Sequence, residues 1–179
     1  TISGFDLSAD KIIVVTRTSG SQVDENGISL FIVDASSEGV ERQNFPTVDG
    51  LRASEITFED VKVSSEALVG EKDKGFKILQ AVVNDAILAL SAEAVGAMEV
   101  LYKDTVEYTQ QREQFDHALS DFQVLQHRLV DMCMEYEQCK SLLFRATLET
   151  VEDPALAQRT VHALKHLIGK SGIFVGESA

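Results

Sequence analysis

An arginine, an aromatic ring and two amides are clustered where one helical pattern ends and the next begins. The corner is residues 112–116 (REQFD), and Gln123 follows shortly after it. Arg112 supplies a planar fork of donors that matches phosphate or carboxylate, Phe115 supplies a face for a flat ring, and Gln123 supplies an amide. The same arginine could equally cap backbone carbonyls at a helix end. The corner is therefore a candidate site for an anionic ligand, with a structural cap as the alternative.

Two acidic residues upstream of the corner could also take part in chemistry. Glu93 stands beside Leu90 and Ala97 in an otherwise apolar pattern, where desolvation would suit a carboxylate to act as a general base. A salt bridge inside a helical bundle is the competing interpretation. Asp85 could accept a hydrogen bond from a ligand or favour the N-terminal half of its helix.

Two histidines have a spacing that can hold a metal. His162 and His166 are four residues apart and share a helix face, but Lys165 stands between them and the glutamate of a His-Glu-x-x-His motif is absent. The sequence therefore predicts two solvated histidines and no metal site.

Composition restricts the class of protein. The 179 residues are 44% hydrophobic and carry a formal net charge of -13, which argues against a nucleic-acid partner because such binding depends on Lys and Arg. Cys133 and Cys139 are six apart in one helical pattern and cannot bridge each other, as expected in a reducing compartment. No signal-peptide pattern begins at Thr1, and no apolar run approaches the roughly 18 residues of a membrane span. We therefore expect an intracellular protein without membrane insertion.

The first part of the chain has the pattern of β-strands. Residues 11–17 (KIIVVTR) and 28–34 (ISLFIVD) flank a polar loop and predict a hairpin with a long connection. Alternation over residues 54–60 predicts another strand, continued by Val61 and Val63. Since these strands are too few to close a barrel or cover a sandwich, we expect an incomplete antiparallel sheet that needs upstream sequence or a partner.

The pattern becomes helical near residue 70, after a charged turn at residues 71–74. The first helix is predicted from about Gly75 to Gln111, roughly 55 Å long. Its core stripe is predicted at Leu79, Val83, Ala86, Leu90, Ala94, Ala97, Leu101, Thr105 and Tyr108.

Two further helices follow the corner. The second has its stripe at Ala118, Phe122, Leu125, Leu129, Met132, Tyr136, Cys139, Leu143 and Ala146, the seam of a packed bundle. Asp153 is the predicted cap of the third helix, with Pro154 at its first position. The third stripe is Ala157, Val161, Leu164, Ile168, Ser171 and Val175.

These patterns predict an α+β fold with two domains. A partial antiparallel β-domain would occupy residues 1–69, and an up-and-down α-helical bundle would occupy residues 70–179. Because no helix-ending signal precedes Ala179, we expect the bundle to be truncated.

A longer motif surrounds the corner. Tyr108 begins a Tyr-x-x-x-Arg-x-Gln-Phe run, and Leu119, Phe122-Gln123 and Gln126 follow it. This spacing resembles the signature of the C-terminal helical domain of acyl-CoA dehydrogenases, in which a Gly follows the Phe.

The resemblance extends over nearly the whole chain. Residues 68–76 resemble the segment that joins the family's middle β-domain to its helical domain, and residues 10–34 resemble later strands of that β-domain. Residues 83–86, 92–97 and 122–127 resemble the small-subunit type of pimeloyl-CoA dehydrogenase. The resemblance therefore implies the end of a middle β-domain followed by a C-terminal helical domain.

The resemblance also implies a cofactor. In the family, the Arg and the Gln of this motif reach the FAD of a neighbouring subunit, with the Arg at the pyrophosphate and the Phe against the adenine. Arg112, Gln114 and Phe115 occupy those positions, and Phe122 and Gln123 match a pair that contacts flavin. These five residues are the implied FAD-binding residues.

Three departures from the family's pattern affect the site. Asp116 replaces the Gly and places an anion near the implied pyrophosphate position. The family's acidic residue and Arg that contact acyl-CoA are replaced by Asn84 and Ile87, so Asn84 and Asp85 remain as candidate substrate-binding residues. The family's base is a downstream Glu or, in some members, a residue that corresponds to about Ala86, so no catalytic residue is assigned by match.

The resemblance implies an FAD-dependent dehydrogenation of an acyl-CoA to its trans-2-enoyl thioester. It also implies electron-transfer flavoprotein as electron acceptor, a homo- or hetero-oligomer, and a location in the bacterial cytoplasm or the mitochondrial matrix. We expect this stretch alone to be inactive, since it lacks the family's N-terminal helical domain and the base. The alternatives are a non-catalytic subunit or assembly module of the same fold, or a flavin-dependent acyl-CoA oxidase.

Overall fold

The computed structural model describes residues 2–4 and 8–179 of the chain; Thr1 and residues 5–7 lie outside the described part. The chain divides into two compact units, Thr1–Gln80 and Ala81–Ala179. The domain boundary at residues 69 and 70 stays a prediction.

Short antiparallel strands make up most of the first unit. The described strands are β1 (Ile2–Gly4), β2 (Lys11–Arg17), β3 (Ile28–Asp34), β4 (Val40–Pro46), β5 (Arg52–Phe58) and β6 (Leu68–Val69). They form two three-stranded sheets, with strand orders β1-β5-β4 and β2-β3-β6. Buried side chains of β3 and β5, such as Leu30, Val33 and Ile56, supply the core of this unit.

The predicted hairpin is confirmed and the third strand is shifted. β2 and β3 have the predicted bounds and pair from Lys11 with Asp34 to Arg17 with Ile28. β5 begins two residues before the predicted strand, and Val61 and Val63 lie outside any strand. β4 has no counterpart among the predictions, because four of its seven residues (VERQNFP) are consecutive polar residues, which break the alternation of a strand.

Three long helices follow, and the second begins five residues after the predicted stripe does, because Ala118 lies in a short strand and Phe122 precedes the helix. They are α1 (Gly75–Gln111), α2 (Gln123–Glu152) and α3 (Pro154–Ser178). The side chain of Asp153 accepts hydrogen bonds from the backbone N–H groups of Ala155 (3.0 Å) and Leu156 (3.4 Å), which confirms the predicted cap. The prediction of an α+β fold is confirmed.

The seam between α2 and α3 contains the predicted residues. Met132 and Cys139 of α2 are fully buried, as are Val161 and Leu164 of α3. Burial raises the pKa of the Cys139 thiol, while Cys133, also free, is half-buried. The stripe predicted for α3, and that for α2 from Leu125 onward, are therefore confirmed, whereas Ala118 and Phe122 lie before α2.

The apolar stripe predicted for α1 lies on a different face of the helix from the residues that are buried. Its buried residues in the second unit are Ile87, Ser91, Val95, Met98 and Thr109, whereas Val83, Ala86, Leu90, Ala97 and Leu101 are exposed. Both sets recur at helical spacings, so α1 is apolar on more than one side. An 18-residue window of α1 has a mean hydropathy of 1.5, which by length and composition alone is enough to cross a membrane.

Candidate functional site

The corner after α1 is a miniature β-hairpin. β7 (Glu113–Gln114) pairs with β8 (His117–Ala118), and Phe115 and Asp116 form the two-residue turn between them. Both turn residues lie in the left-handed region, with φ of 58° and 62°. This is the geometry of a type I′ turn, in which Asn-Gly is the favoured pair and a phenylalanine is strained. The backbone of this hairpin therefore fixes the positions of the corner residues.

The two aromatic rings of the corner contact each other. Phe115 is 85% exposed, and its ring meets that of Phe122 edge-on, with centroids 6.4 Å apart. Phe122 is half-buried directly before α2 begins. One face of Phe115 consequently stays open to a flat ligand.

The polar groups of the corner are available for a ligand. The guanidinium of Arg112 and the side-chain amide of Gln123 make no hydrogen bond or ion pair with any residue the structure describes. Gln114 donates through Nε2 to the carbonyl of Glu113 at 2.8 Å. Asp116 does not pair with Arg112, so the donors of the guanidinium are not engaged by this neighbouring carboxylate. The alternative in which Arg112 caps carbonyls through its side chain is not what the structure shows.

The candidate substrate-binding residues lie near the start of the second unit. Asn84 is half-buried, and its Oδ1 atom is buried without a hydrogen-bond partner among the described residues. Such an orphaned acceptor costs free energy for as long as no donor reaches it. Asp85 is exposed, while Ile87 is buried against Ala146 and Leu164. The position that matches the family's arginine therefore faces the helical core.

Glu93 does not form the salt bridge inside the bundle that the sequence predicts. Its side chain is exposed, and it forms no hydrogen bond or ion pair with the described residues, so the salt bridge inside the bundle is wrong. The reason is the phase of α1, which turns Leu90, Glu93 and Ala97 away from the bundle core. No described partner marks Glu93 as a base.

The two spaced histidines are both exposed. His162 and His166 lie on the outer side of α3. Over residues 2–4 and 8–179, no three side chains of His, Cys, Asp or Glu come together as a metal site.

Asp73 is a positioning residue that the sequence does not single out. Its Oδ1 accepts hydrogen bonds from the hydroxyls of Thr18 (2.5 Å) and Ser19 (2.8 Å), and its backbone N–H donates to Oγ of the buried Ser29 (2.8 Å). The bonds from Thr18 and Ser19 hold the pKa of the Asp73 carboxyl below its ordinary value. This network ties the loop between β2 and β3 to the turn from which α1 begins.

Close backbone approach fixes the same junction. A Cβ on Gly75 would lie 2.9 Å from Cγ of Leu30, and one on Gly27 (φ +96°) would lie 2.1 Å from the carbonyl oxygen of Ser19. Only glycine fits these two positions without displacement of the neighbouring chain. The first turn of α1 is thereby held against β3.

The family model for the acyl-CoA dehydrogenase C-terminal domain matches residues 73–179, more than half of the chain. The chain belongs to the acyl-CoA dehydrogenase family. The match contains the corner hairpin, the seam of α2 and α3, and the exposed face of α1. The family predicted from the motif at Tyr108 is confirmed, and the pimeloyl-CoA subtype stays a prediction.

Individual relatives agree with this family. The short-chain specific acyl-CoA dehydrogenase of Megasphaera elsdenii is 34% identical over 161 residues, which cover 85% of this chain and 42% of that protein. The CarC subunit of the caffeyl-CoA reductase-Etf complex of Acetobacterium woodii is 31% identical over 140 residues, covering 76% and 37%. The chain thus spans less than half the length of these curated relatives.

A solved structure shares both the fold and part of the sequence. The structure titled "PigA with FAD and proline" superposes with a TM-score of 0.87 at 26% identity, over 95% of this chain and 45% of that one. FAD is thus a ligand of a structural relative of this acyl-CoA dehydrogenase family member.

Proposed function

We propose that the chain is part of an FAD-dependent acyl-CoA dehydrogenase, which converts an acyl-CoA thioester to the trans-2-enoyl-CoA. The observation that carries the proposal is the corner hairpin, where the side chains of Arg112 and Gln123 have no described partner and the ring of Phe115 is 85% exposed. The names of the relatives support it, since they include an acyl-CoA dehydrogenase and a protein solved with FAD.

The groups at the corner fit FAD chemically. A free guanidinium suits a pyrophosphate, an open aromatic face suits adenine, and a free amide suits a polar edge. Arg112, Gln114 and Phe115 would hold the nucleotide end, with Phe122 and Gln123 beside them. Since the motif in the family reaches the FAD of a neighbouring subunit, the cofactor held here would be shared with another subunit, and the protein would be an oligomer.

The chain's own residues bind and orient in this proposal. The chemistry that FAD supplies when bound is acceptance of a hydride from the β-carbon, while the α-proton leaves to a base. The unpaired Oδ1 of Asn84 and the carboxylate of Asp85 would accept hydrogen bonds from the thioester substrate. The base itself is assigned to no described residue.

The proposal includes partners and a location. Electron-transfer flavoprotein would accept the electrons, and the name of CarC, a subunit of an Etf complex, supports this choice. The protein would act in fatty acid metabolism in the bacterial cytoplasm, or in the mitochondrial matrix of a eukaryote, without binding nucleic acid or inserting into a membrane.

The test uses the full-length protein that contains this chain. Purified protein should be yellow, with the absorbance band of oxidised flavin, and anaerobic addition of butyryl-CoA should bleach that band. A colourless protein that neither takes up FAD nor responds to an acyl-CoA would rule the proposal out. Oxygen consumption with release of peroxide would favour the acyl-CoA oxidase instead.

Arg112 allows a sharper test of the cofactor site. Arg112→Ala should lower FAD retention about tenfold or more, because a charge-assisted contact to phosphate is lost. Arg128→Ala is the matched control, since Arg128 makes only a 3.4 Å contact with the hydroxyl of Ser178. Equal flavin content in both variants and the wild type would remove Arg112 from the site.

A non-catalytic subunit of the same fold is the second candidate function. Ile87 favours it, because burial in the core leaves this position unable to contact acyl-CoA as the family's arginine does. In that case the protein would assemble with a catalytic relative without bleaching by any acyl-CoA.

A further inference from the structure

One side chain closes the segment that joins the corner hairpin to α2. Residues Leu119–Asp121 form a single turn of 3₁₀-helix, and α2 begins at Gln123. Near the start of α2, Nε2 of Gln126 donates a 2.7 Å hydrogen bond back to the carbonyl oxygen of Ser120 in that turn. The bond therefore ties the first turn of α2 to the chain that precedes it.

Two of the implied FAD-binding residues lie inside the loop that this bond closes. Phe122 and Gln123 stand between Ser120 and Gln126, which are six apart in the sequence. Phe122 occupies the N-cap position of α2, where its ring cannot accept the hydrogen bond that a usual capping side chain accepts. The amide of Gln126 thus restrains the entry to α2 at a place where a cap would otherwise act.

The hairpin side of the corner is fixed independently, through the backbone. The N–H group of Leu119 donates to the carbonyl oxygen of Arg112 at 2.8 Å, and that of Phe122 donates to the carbonyl oxygen of Leu119 at 3.2 Å. Arg112 is therefore held relative to Leu119, whereas the position of Gln123 also depends on the turn that Gln126 restrains. The separation of Arg112 from Gln123 consequently depends on the bond between Gln126 and Ser120.

The bond of Gln126 matters more for geometry than for folding. Gln126 is exposed, so its hydrogen bond replaces one to water and adds little to the free energy of unfolding. A binding site, in contrast, needs its groups within about 0.5 Å of the productive geometry, which side chains outside the site maintain. The loss of this one contact should therefore affect a ligand at the corner more than it affects the bundle.

We propose that Gln126 is a positioning residue of the FAD site, which acts through Phe122 and Gln123 without contacting the cofactor itself. This inference rests on the proposed function and deepens it, since it adds a residue to the same site. A purely structural cap would lower the stability of the protein and leave the affinity for FAD unchanged.

The test measures the FAD affinity of the full-length apoprotein by titration. Gln126→Met keeps the size of the side chain and removes the donor, and we expect the Kd of FAD to rise about tenfold with a nearly unchanged urea midpoint. Gln126→Leu should behave in the same way and serves as the test if Gln126→Met does not fold. Gln138→Met is the matched control and should leave the Kd unchanged, because Gln138 is another exposed glutamine of α2 and donates locally to the carbonyl of Met134 at 3.2 Å.

A double-mutant cycle separates positioning from a general loosening of the structure. If Gln126 acts through Gln123, the combined loss of affinity in Gln123→Ala with Gln126→Met should be smaller than the product of the two single losses. A combined loss equal to that product would overturn the inference. So would a wild-type Kd in Gln126→Met while Arg112→Ala loses FAD, and the proposed function would then stand. A full-length protein that takes up no FAD would overturn both together.

Discussion

The ring of Phe115 stands edge-on to the ring of Phe122, with an angle of 88° between their planes. The contact joins the tip of the corner hairpin to the residue that precedes α2. Phe122 is half-buried and Phe115 is exposed, so we expect the two rings to differ in structural role. Phe122 anchors the hairpin, and Phe115 is left for a ligand.

Substitution of each ring should therefore have a different effect. Phe115→Ala should change the free energy of unfolding by less than about 0.5 kcal/mol and weaken FAD binding about tenfold, because a stacking face is lost. Phe122→Ala should lower the free energy of unfolding by about 2 kcal/mol. Urea unfolding and flavin titration measure the two quantities. Greater destabilisation by Phe115→Ala than by Phe122→Ala would contradict this division.

Asp116 is strained and negatively charged, and two substitutions separate these properties. Asp116→Gly should raise the free energy of unfolding by up to about 1 kcal/mol, because glycine adopts positive φ without cost. Asp116→Asn keeps a side chain that tolerates this conformation but removes the charge near Arg112. Both should strengthen FAD binding if the charge opposes the pyrophosphate. Stronger binding in the Gly variant alone would attribute the effect to backbone conformation.

Replacement of Ile87 by the arginine that the family has at this position should destabilise the folded protein. Ile87→Arg would place a cation among Ala146, Val161 and Leu164, and should lower the free energy of unfolding by about 3 kcal/mol or more. Leu90→Arg, on the exposed side of α1, is the control and should cost less than about 1 kcal/mol. Similar urea midpoints for the two variants would show that Ile87 is not enclosed.

The network around Asp73 should make stability depend on pH. Its pKa is lowered in the folded protein, so its contribution is present above the ordinary carboxyl value of 3.8 and is lost as pH falls through the lowered pKa. Asp73→Asn should therefore lower the urea midpoint at pH 7, and the difference from wild type should shrink below about pH 4. Thr18→Val, which removes a donor, should behave in the same way. A difference that stays constant down to pH 2 would contradict an ionised Asp73.

How far the sequence predicts the fold depends on where polar residues mark the solvent side. In α2 and α3, charged residues separate the apolar positions, so the stripes through Met132 and Leu164 could be located. In α1, Leu90 and Ala97 are as apolar as Val95 and Met98, so spacing reveals the helix but not its orientation. β4 escapes prediction because it has few apolar residues to alternate.

The candidate site was predictable in its residues but not in its shape. The motif around Arg112 identifies the groups, but Phe115-Asp116 lacks the Asn-Gly signal of a tight turn, so the hairpin could not be foreseen. The sequence identifies Asp73 only as part of a charged turn, because its partner Thr18 is 55 residues away. Local patterns do not encode such long-range contacts.

The reactivity of the Cys139 thiol can be used to measure how often α2 and α3 separate. Thiol reagents attack the thiolate, and burial between α2 and α3 both shields the sulfur and keeps it protonated. Modification of Cys139 must therefore wait until the two helices separate, while the half-buried Cys133 reacts sooner. The rate of the slower reaction measures how often the seam opens under native conditions, without denaturant and without an engineered cysteine.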